Sequence, residues 1–186
     1  KRPGVRPGGW AFQYNNAHYP DVDDTAVVVM AMDRLDHDRY KEAIDRAVEW
    51  ILGLQSKNGG WGAFDADNEY YYLNHIPFAD HGALLDPPTA DVSARCLSML
   101  AQLGYKIDHP KVKAAVDYLI REQEADGAWF GRWGTNYVYG TWSVLCALNA
   151  IGIPADHPAM RKGVAFLTSK QRADGGWGES GDSYWA

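Results

Sequence analysis

The sequence predicts an all-α fold, part of an αα-barrel or toroid in which inner and outer helices alternate, forming one domain over residues 1–186. Three observations carry this. A Q-x-x-x-G-x-W pattern returns at 55–61, 123–129 and 171–177, and matched copies at such spacing mark a repeated supersecondary unit. Each copy follows a segment that is apolar along one helical face only. Each of those segments is preceded by another that is apolar nearly all round and therefore needs cover on both sides. Such fully apolar inner segments favour a closed ring over an open solenoid. A ring of this kind usually takes about six helix pairs. Three are visible, so the chain reads as an excised piece of a longer protein, supplying at most half a barrel with some inner surface exposed.

Taken in order, Gly8-Gly9-Trp10 reads as the tail of an earlier copy. The first inner helix is expected over 23–35, opened by Asp21-Val22-Asp23-Asp24 and continuing through the apolar run from Ala26 to Met32. The first outer helix follows over 40–55, with Ile44, Val48 and Ile51 at helical spacing opposite Glu42, Asp45, Arg46 and Glu49. The second pair is expected over 90–103 and 111–123, the latter carrying Val112, Val116 and Leu119. The third pair covers 138–151 and 159–171, with Met160, Val164 and Leu167 on the outer member. The outer helices begin at Asp36-His37-Asp38, Asp108-His109-Pro110 and Asp156-His157-Pro158, where an Asp N-cap and, twice, a Pro in the first turn are starting signals. That assigns His37, His109 and His157 to turns. His18, His75 and His81 fit no helical ligand spacing, so no metal site is expected. Trp61, Trp129 and Trp177 are expected to be structural, each indole packed on a helix end while the Gln of its motif bonds nearby backbone.

A net charge of -6 without any basic run argues against a nucleic-acid partner. No apolar run reaches membrane-span length, and no signal peptide is visible. Cys96 and Cys146 sit on separate apolar stretches without metal or redox spacing and are expected as reduced core residues. Aromatic residues make up 13% of the chain, with 8 Trp and 11 Tyr, which points to an aromatic-lined pocket.

The chemistry gathers at one end. If successive inner helices run parallel, their N-termini share one rim: Asp21, Asp23 and Asp24 on the first, Thr89, Asp91 and Arg95 on the second, Tyr139 and Thr141 on the third. The entering loops bring Phe12, Phe64, Phe78, Trp129 and Trp133 to the same end. Clustered carboxylates repel, so at least one tends to keep its proton, whereas Arg95 favours the charged form. Protonating an alkene needs an acid stronger than an ordinary carboxyl of pKa roughly 4. The resulting carbocation needs aromatic faces, worth roughly 0.5–2 kcal/mol each, and exclusion of water. Asp21 also has the plain reading of an N-cap with Asp24 completing something like a capping box. Two other readings of the whole are an (α/α)6 glycoside hydrolase with Asp23 as general acid, and a helical interaction repeat whose acids only cap. The apolar run Val27 to Val29 beside the acids disfavours the sugar site, which would need many hydrogen-bonding side chains.

These motifs resemble those of squalene–hopene cyclases, bacterial triterpene cyclases, over all 186 residues and roughly the middle-to-late third of such an enzyme. The resemblance rests on D-V-D-D-T-A at 21–26, on the Q-x-x-x-G-x-W copies known in that family as QW motifs, and on G-G-W-A-F-Q at 8–13. It also rests on N-H-I-P-F at 74–78, D-P-P-T-A-D-V-S-A-R at 86–95 and W-F-G-R-W-G-T-N-Y-V-Y-G-T at 129–141. The D-x-D-D form is similar to the squalene enzymes rather than to oxidosqualene cyclases, whose motif has a single catalytic Asp followed by Cys. Class II diterpene cyclases share D-x-D-D without this QW-rich context.

The resemblance implies Asp23 as proton donor, Asp21 and Asp24 as its carboxylate partners, and Asp91 and Arg95 as groups that tune it. Tyr139 would assist reprotonation, and Phe12, Phe64, Phe78 and Trp133 would line the cavity. It further implies squalene as substrate, no metal or organic cofactor, and a homodimeric full-length enzyme bound monotopically to the cytoplasmic face of a bacterial membrane. The excised piece itself would be soluble and inactive. Three positions depart from the well-studied type. Arg95 replaces a His and, as a permanent cation, cannot shuttle a proton. Phe64 replaces a Tyr, keeping the ring but not the hydroxyl, and His81 replaces a Phe.

Overall fold

The computed structural model describes residues 2–76 and 84–184. It is helical, as expected, and the expected helices appear nearly at the expected bounds. A two-residue ladder precedes them: β1 (Trp10–Ala11) pairs antiparallel with β2 (Pro20–Asp21), Trp10 opposite Asp21. A ladder this short leaves no periodic pattern to read. Next comes α1 (Val22–Gly53), which is two helices joined at Asp36, a residue in extended conformation (φ -168°, ψ 91°). Its inner half is 22–35 and its outer half 37–53; Asp36 Oδ1 accepts from the Arg39 N–H at 3.1 Å and caps the outer half. Then follow α2 (Ala90–Gln102), α3 (Pro110–Arg121), α4 (Asn136–Ala150) and α5 (Pro158–Lys170).

The caps of α3 and α5 correct the expectation. They are His109 and His157, not Asp108 and Asp156. Pro110 and Pro158 take the first helical position, and the residue before a proline is pushed to extended backbone, which makes it the cap. His157 Nδ1 accepts from the Ala159 N–H at 3.2 Å.

The inner helices run parallel. Arg95 Nε reaches Asp23 Oδ1 at 3.0 Å and Gln102 Nε2 reaches the Met30 carbonyl at 2.9 Å, both pairs 72 residues apart. Equal separations at two heights place the inner half of α1 and α2 side by side in the same direction. α2 packs against α1 on one flank and α4 on the other, with α3 and α5 behind α2 and α4. The core between layers holds Ile44, Ile51, Leu97, Met99, Leu100, Leu119, Val144 and Leu148.

The QW motifs bind these layers together. Each indole N–H donates to the carbonyl ten residues before it: Trp61 to Ile51 (2.7 Å), Trp129 to Leu119 (2.6 Å) and Trp177 to Leu167 (2.8 Å). Gln55 Nε2 donates to the carbonyls of Gly59 and Lys111, and Gln123 Nε2 to those of Gly127 and Ala159, so each amide ties its own turn to the start of the next outer helix. Gly59 has φ +98°, and a Cβ there would lie 2.3 Å from the Ala114 carbonyl oxygen. Gly8 stands in the same relation to Arg46, which supports Gly8-Gly9-Trp10 as the tail of a copy. A further bond recurs that the pattern alone does not disclose. The main-chain N–H of Trp10, Trp61 and Trp129 donates to a hydroxyl on the next inner helix: Thr25 (2.8 Å), Ser93 (2.9 Å) and Thr141 (3.0 Å).

Burial of the inner helices is uneven. α2, flanked on both sides, is covered, whereas Val27 on α1 and Trp142 and Cys146 on α4 are exposed. Cys146 is therefore not the core residue expected, while Cys96 is fully buried. Neither α1 nor α4 is covered all round among the described residues.

Substitution at Gly59 tests the contact between QW turn and outer helix. In the full-length protein, Gly104→Ala should cost about 1 kcal/mol, because Gly104 has φ +87° and open space around it. Gly59→Ala adds a collision with backbone to the same conformational cost. Its midpoint in denaturant should fall clearly below that of the Gly104 variant.

Candidate active site

The acid motif begins where the β2 backbone turns into α1. Asp21 is the N-cap, its Oδ1 accepting from the Asp24 N–H at 2.7 Å, so the capping reading holds. Capping does not exhaust it. Asp21 is only 5% exposed, and its Oδ2 is buried with no hydrogen-bond partner among the described residues. Burial drives its carboxyl up to about 7; the Asp24 N–H opposes this, while the Asp24 side chain and the charge of Asp23 reinforce it.

Asp23, in the first turn of the helix, is partly open and pairs with Arg95 from α2. Two influences act on it in opposite directions. Burial raises its pKa, the Arg95 charge and hydrogen bond lower it, and the carboxylates of Asp91 and Asp24 raise it again, with a net shift upward. The guanidinium of Arg95 loses stability to burial but regains more from Asp23 and, further off, Tyr139, so it stays charged. Asp91, a helical turn before Arg95, is 1% exposed. Its Oδ2 accepts from the Trp133 N–H at 2.9 Å and its Oδ1 has no hydrogen-bond partner among the described residues. Tyr139, in the first turn of α4, has its phenol raised by burial, then by Asp91 and Asp23, with Arg95 opposing. The structure thus brings Asp21, Asp23, Asp24, Asp91, Arg95 and Tyr139 together from three helices.

The aromatic residues divide. Phe64 meets Trp133 edge to face, centroids 6.2 Å apart, and both rings are substantially exposed. The Arg132 guanidinium lies over Trp133 at 5.5 Å. Phe12, 81% exposed, stands one residue beyond β1. Phe78 and His81 lie outside the described residues. Trp129 does not belong to the rim: it is fully buried and spends its indole N–H on Leu119.

Two carboxylates escape sequence reasoning. Glu179, two residues after Trp177, accepts from the N–H groups of Asn136 and Tyr137 (both 2.7 Å) and Val138 (2.6 Å), and so caps α4 from a distant loop. Asp86 accepts three N–H groups from the loop carrying Phe64. Neither belongs to a local helix start; the Pro pair after Asp86 is the only hint of its fixed backbone. Chemically, the site is a carboxyl whose pKa burial raises, bonded to a fixed cation, with a pair of open aromatic rings on the entering loops.

Comparison with known proteins agrees with this geometry. A family model described as the squalene-hopene cyclase C-terminal domain matches residues 1–186. The chain is 70% identical over 154 residues to the squalene–hopene cyclase of Zymomonas mobilis, covering 80% of this chain and 23% of that protein. It is 66% identical to the squalene–hopene cyclase of Schizosaccharomyces japonicus, covering 80% and 23%. Against that of Alicyclobacillus acidocaldarius it is 52% identical, covering 81% and 24%. The chain therefore spans about a quarter of the length of these curated relatives. With the acids, the QW turns and the match along its whole length in accord, the chain belongs to the squalene–hopene cyclase family.

Proposed function

We propose that the full-length protein cyclises squalene, with Asp23 as the general acid. The observation that carries this is the partly open Asp23 carboxyl, raised by burial yet paired with Arg95, on helices whose entering loops bear the Phe64 and Trp133 pair. The proton leaves the Asp23 oxygen for one carbon of the terminal alkene, the π electrons forming the new C–H bond. The cation left on the other carbon is attacked by successive double bonds as rings close. Loss of a proton gives hopene, and capture of water gives hopanol. Asp21 and Asp24 are the carboxyl partners of the donor, Asp91 holds the Trp133 backbone, and Tyr139 assists reprotonation of Asp23 by relaying a proton taken from water. Phe12, Phe64, Phe78 and Trp133 present π faces to the moving charge.

Arg95 is the tuning group. Burial alone would make Asp23 a weak acid; the fixed cation restores strength without offering a base to trap the proton. No metal or organic cofactor enters this scheme. Squalene is a hydrocarbon that reaches the enzyme from lipid, so the full-length protein, a homodimer, works bound monotopically to the cytoplasmic face of the bacterial membrane. No helix among the described residues is long and apolar enough to cross a membrane.

Three outcomes test this reading. Full-length protein incubated with squalene should give pentacyclic products by gas chromatography, and Asp23→Asn should lower turnover at least about 100-fold, the lower end of general-acid contributions. Arg95→Gln should lower the maximal rate while moving the alkaline limb of the rate profile to higher pH. Its sign follows from removing the group that lowers the Asp23 pKa, so the protonated form survives further into base. The isolated 186 residues should convert no squalene, since the exposed flanks of α1 and α4 leave the cavity wall incomplete.

A further inference from the structure

Asp86 is a buried carboxylate that the proposed reaction does not use. It is 5% exposed and lies just before the Pro87-Pro88 pair that leads into α2. Its Oδ1 accepts from the Ala63 N–H at 3.0 Å, and its Oδ2 from the N–H groups of Phe64 (2.6 Å) and Asp65 (2.7 Å). An ionised carboxylate accepts only, so three converging donors satisfy it. Charge-assisted bonds of this length are the strong ones. Asp86 also pairs with Asn68 as an isolated antiparallel bridge.

The loop it grips touches the start of the acid helix and the Trp133 loop. Ala63 O accepts from the Val22 N–H at 2.8 Å, at the first residue of the acid helix. Phe64 meets Trp133 edge to face, and the Trp133 N–H is held by Asp91. Leu85, next to Asp86, accepts from Arg132 Nη2 at 2.9 Å, which ties in the Trp133 loop a second time. Gly62 closes the arrangement: a Cβ there would fall 2.7 Å from Asp86 O and 2.8 Å from Asp86 Oδ2. The side chain of Asp86 touches neither Asp23 nor Arg95 through any hydrogen bond found among the described residues.

We propose that Asp86 is a positioning residue, whose carboxylate fixes the backbone of 63–65 and so aims the Phe64 ring at the place where a cation develops after the first proton transfer. It governs how far cyclisation proceeds, not whether it starts. This rests on the squalene-cyclising function proposed above. An asparagine at this position keeps one accepting oxygen but turns an amino group toward N–H donors, so the loop must shift.

The experiment uses the full-length protein, squalene and product analysis by gas chromatography–mass spectrometry. Asp86→Asn should retain squalene consumption within about tenfold of wild type while moving much of the product to partly cyclised, prematurely deprotonated hydrocarbons. Phe64→Ala should give the same truncated products, and the double variant no more of them than Phe64→Ala alone, as expected of residues acting through one another. Gly62→Ala displaces the same loop with the Asp86 charge intact and should give the same product shift; it decides the matter if Asp86→Asn does not fold. A loss of rate with unchanged product ratios in Asp86→Asn, or in Gly62→Ala where the former does not fold, overturns the positioning role. So does a double variant whose product shift is the sum of the two. Wild-type protein that leaves squalene untouched overturns the cyclase reading itself and this inference with it, a result distinct from either of those.

Discussion

The bond between a Trp main-chain N–H and a hydroxyl on the following inner helix is the constraint on which the site depends. Thr25, Ser93 and Thr141 each accept this bond close to the start of their helix. The loop leaving the Trp is thereby pinned against the helix N-terminus, inside the layer boundary where water cannot compete. The same anchoring recurs within the first two turns of each inner helix. The acids of α1, the acid and cation of α2 and the phenol of α4 share a rim because each loop is fixed to its helix in one way.

At that rim, structural and chemical uses of a carboxyl coincide. Asp21 caps α1 with one oxygen and buries the other with no partner among the described residues. Asp91 holds a loop amide with one oxygen, and the other is buried with no partner among the described residues. Unpaired buried oxygens are costly in a low-dielectric setting, and the Asp91 charge raises the pKa of the neighbouring Asp23. Arg95 sets the limit to this effect. Arg95 is thus a cation fixed in charge and bonded directly to Asp23.

Much of the fold was legible in sequence because its signals are local and repeated. Helical periodicity located the outer helices, and the QW spacing located the turns to within a residue or two. The identity of the caps was lost where a proline took over the first helical position, since the Asp before His109 and His157 mimics a cap. The Cys146 surface was lost because hydropathy reports that a helix wants cover, not which flank has a neighbour. Among site residues, the acids, Arg95 and Tyr139 follow from parallel inner helices. Asp86 and Glu179 do not, because their partners are main-chain N–H groups of segments distant in sequence, and such groups carry no residue-type signature.

The way each inner helix joins its outer partner differs along the chain. α2 and α4 end at Gly104 and Gly152, both with positive φ and open space around them, and reach the next helix through several residues. In α1 the same passage is made by Asp36 alone. A spliced-in epitope or fluorescent reporter would find slack at Gly104 or Gly152, at the end of the layers remote from the acids. At Asp36 it would have to prise apart a pair of helices that meet through a single peptide unit, and the first hairpin would carry that displacement toward its own acidic tip.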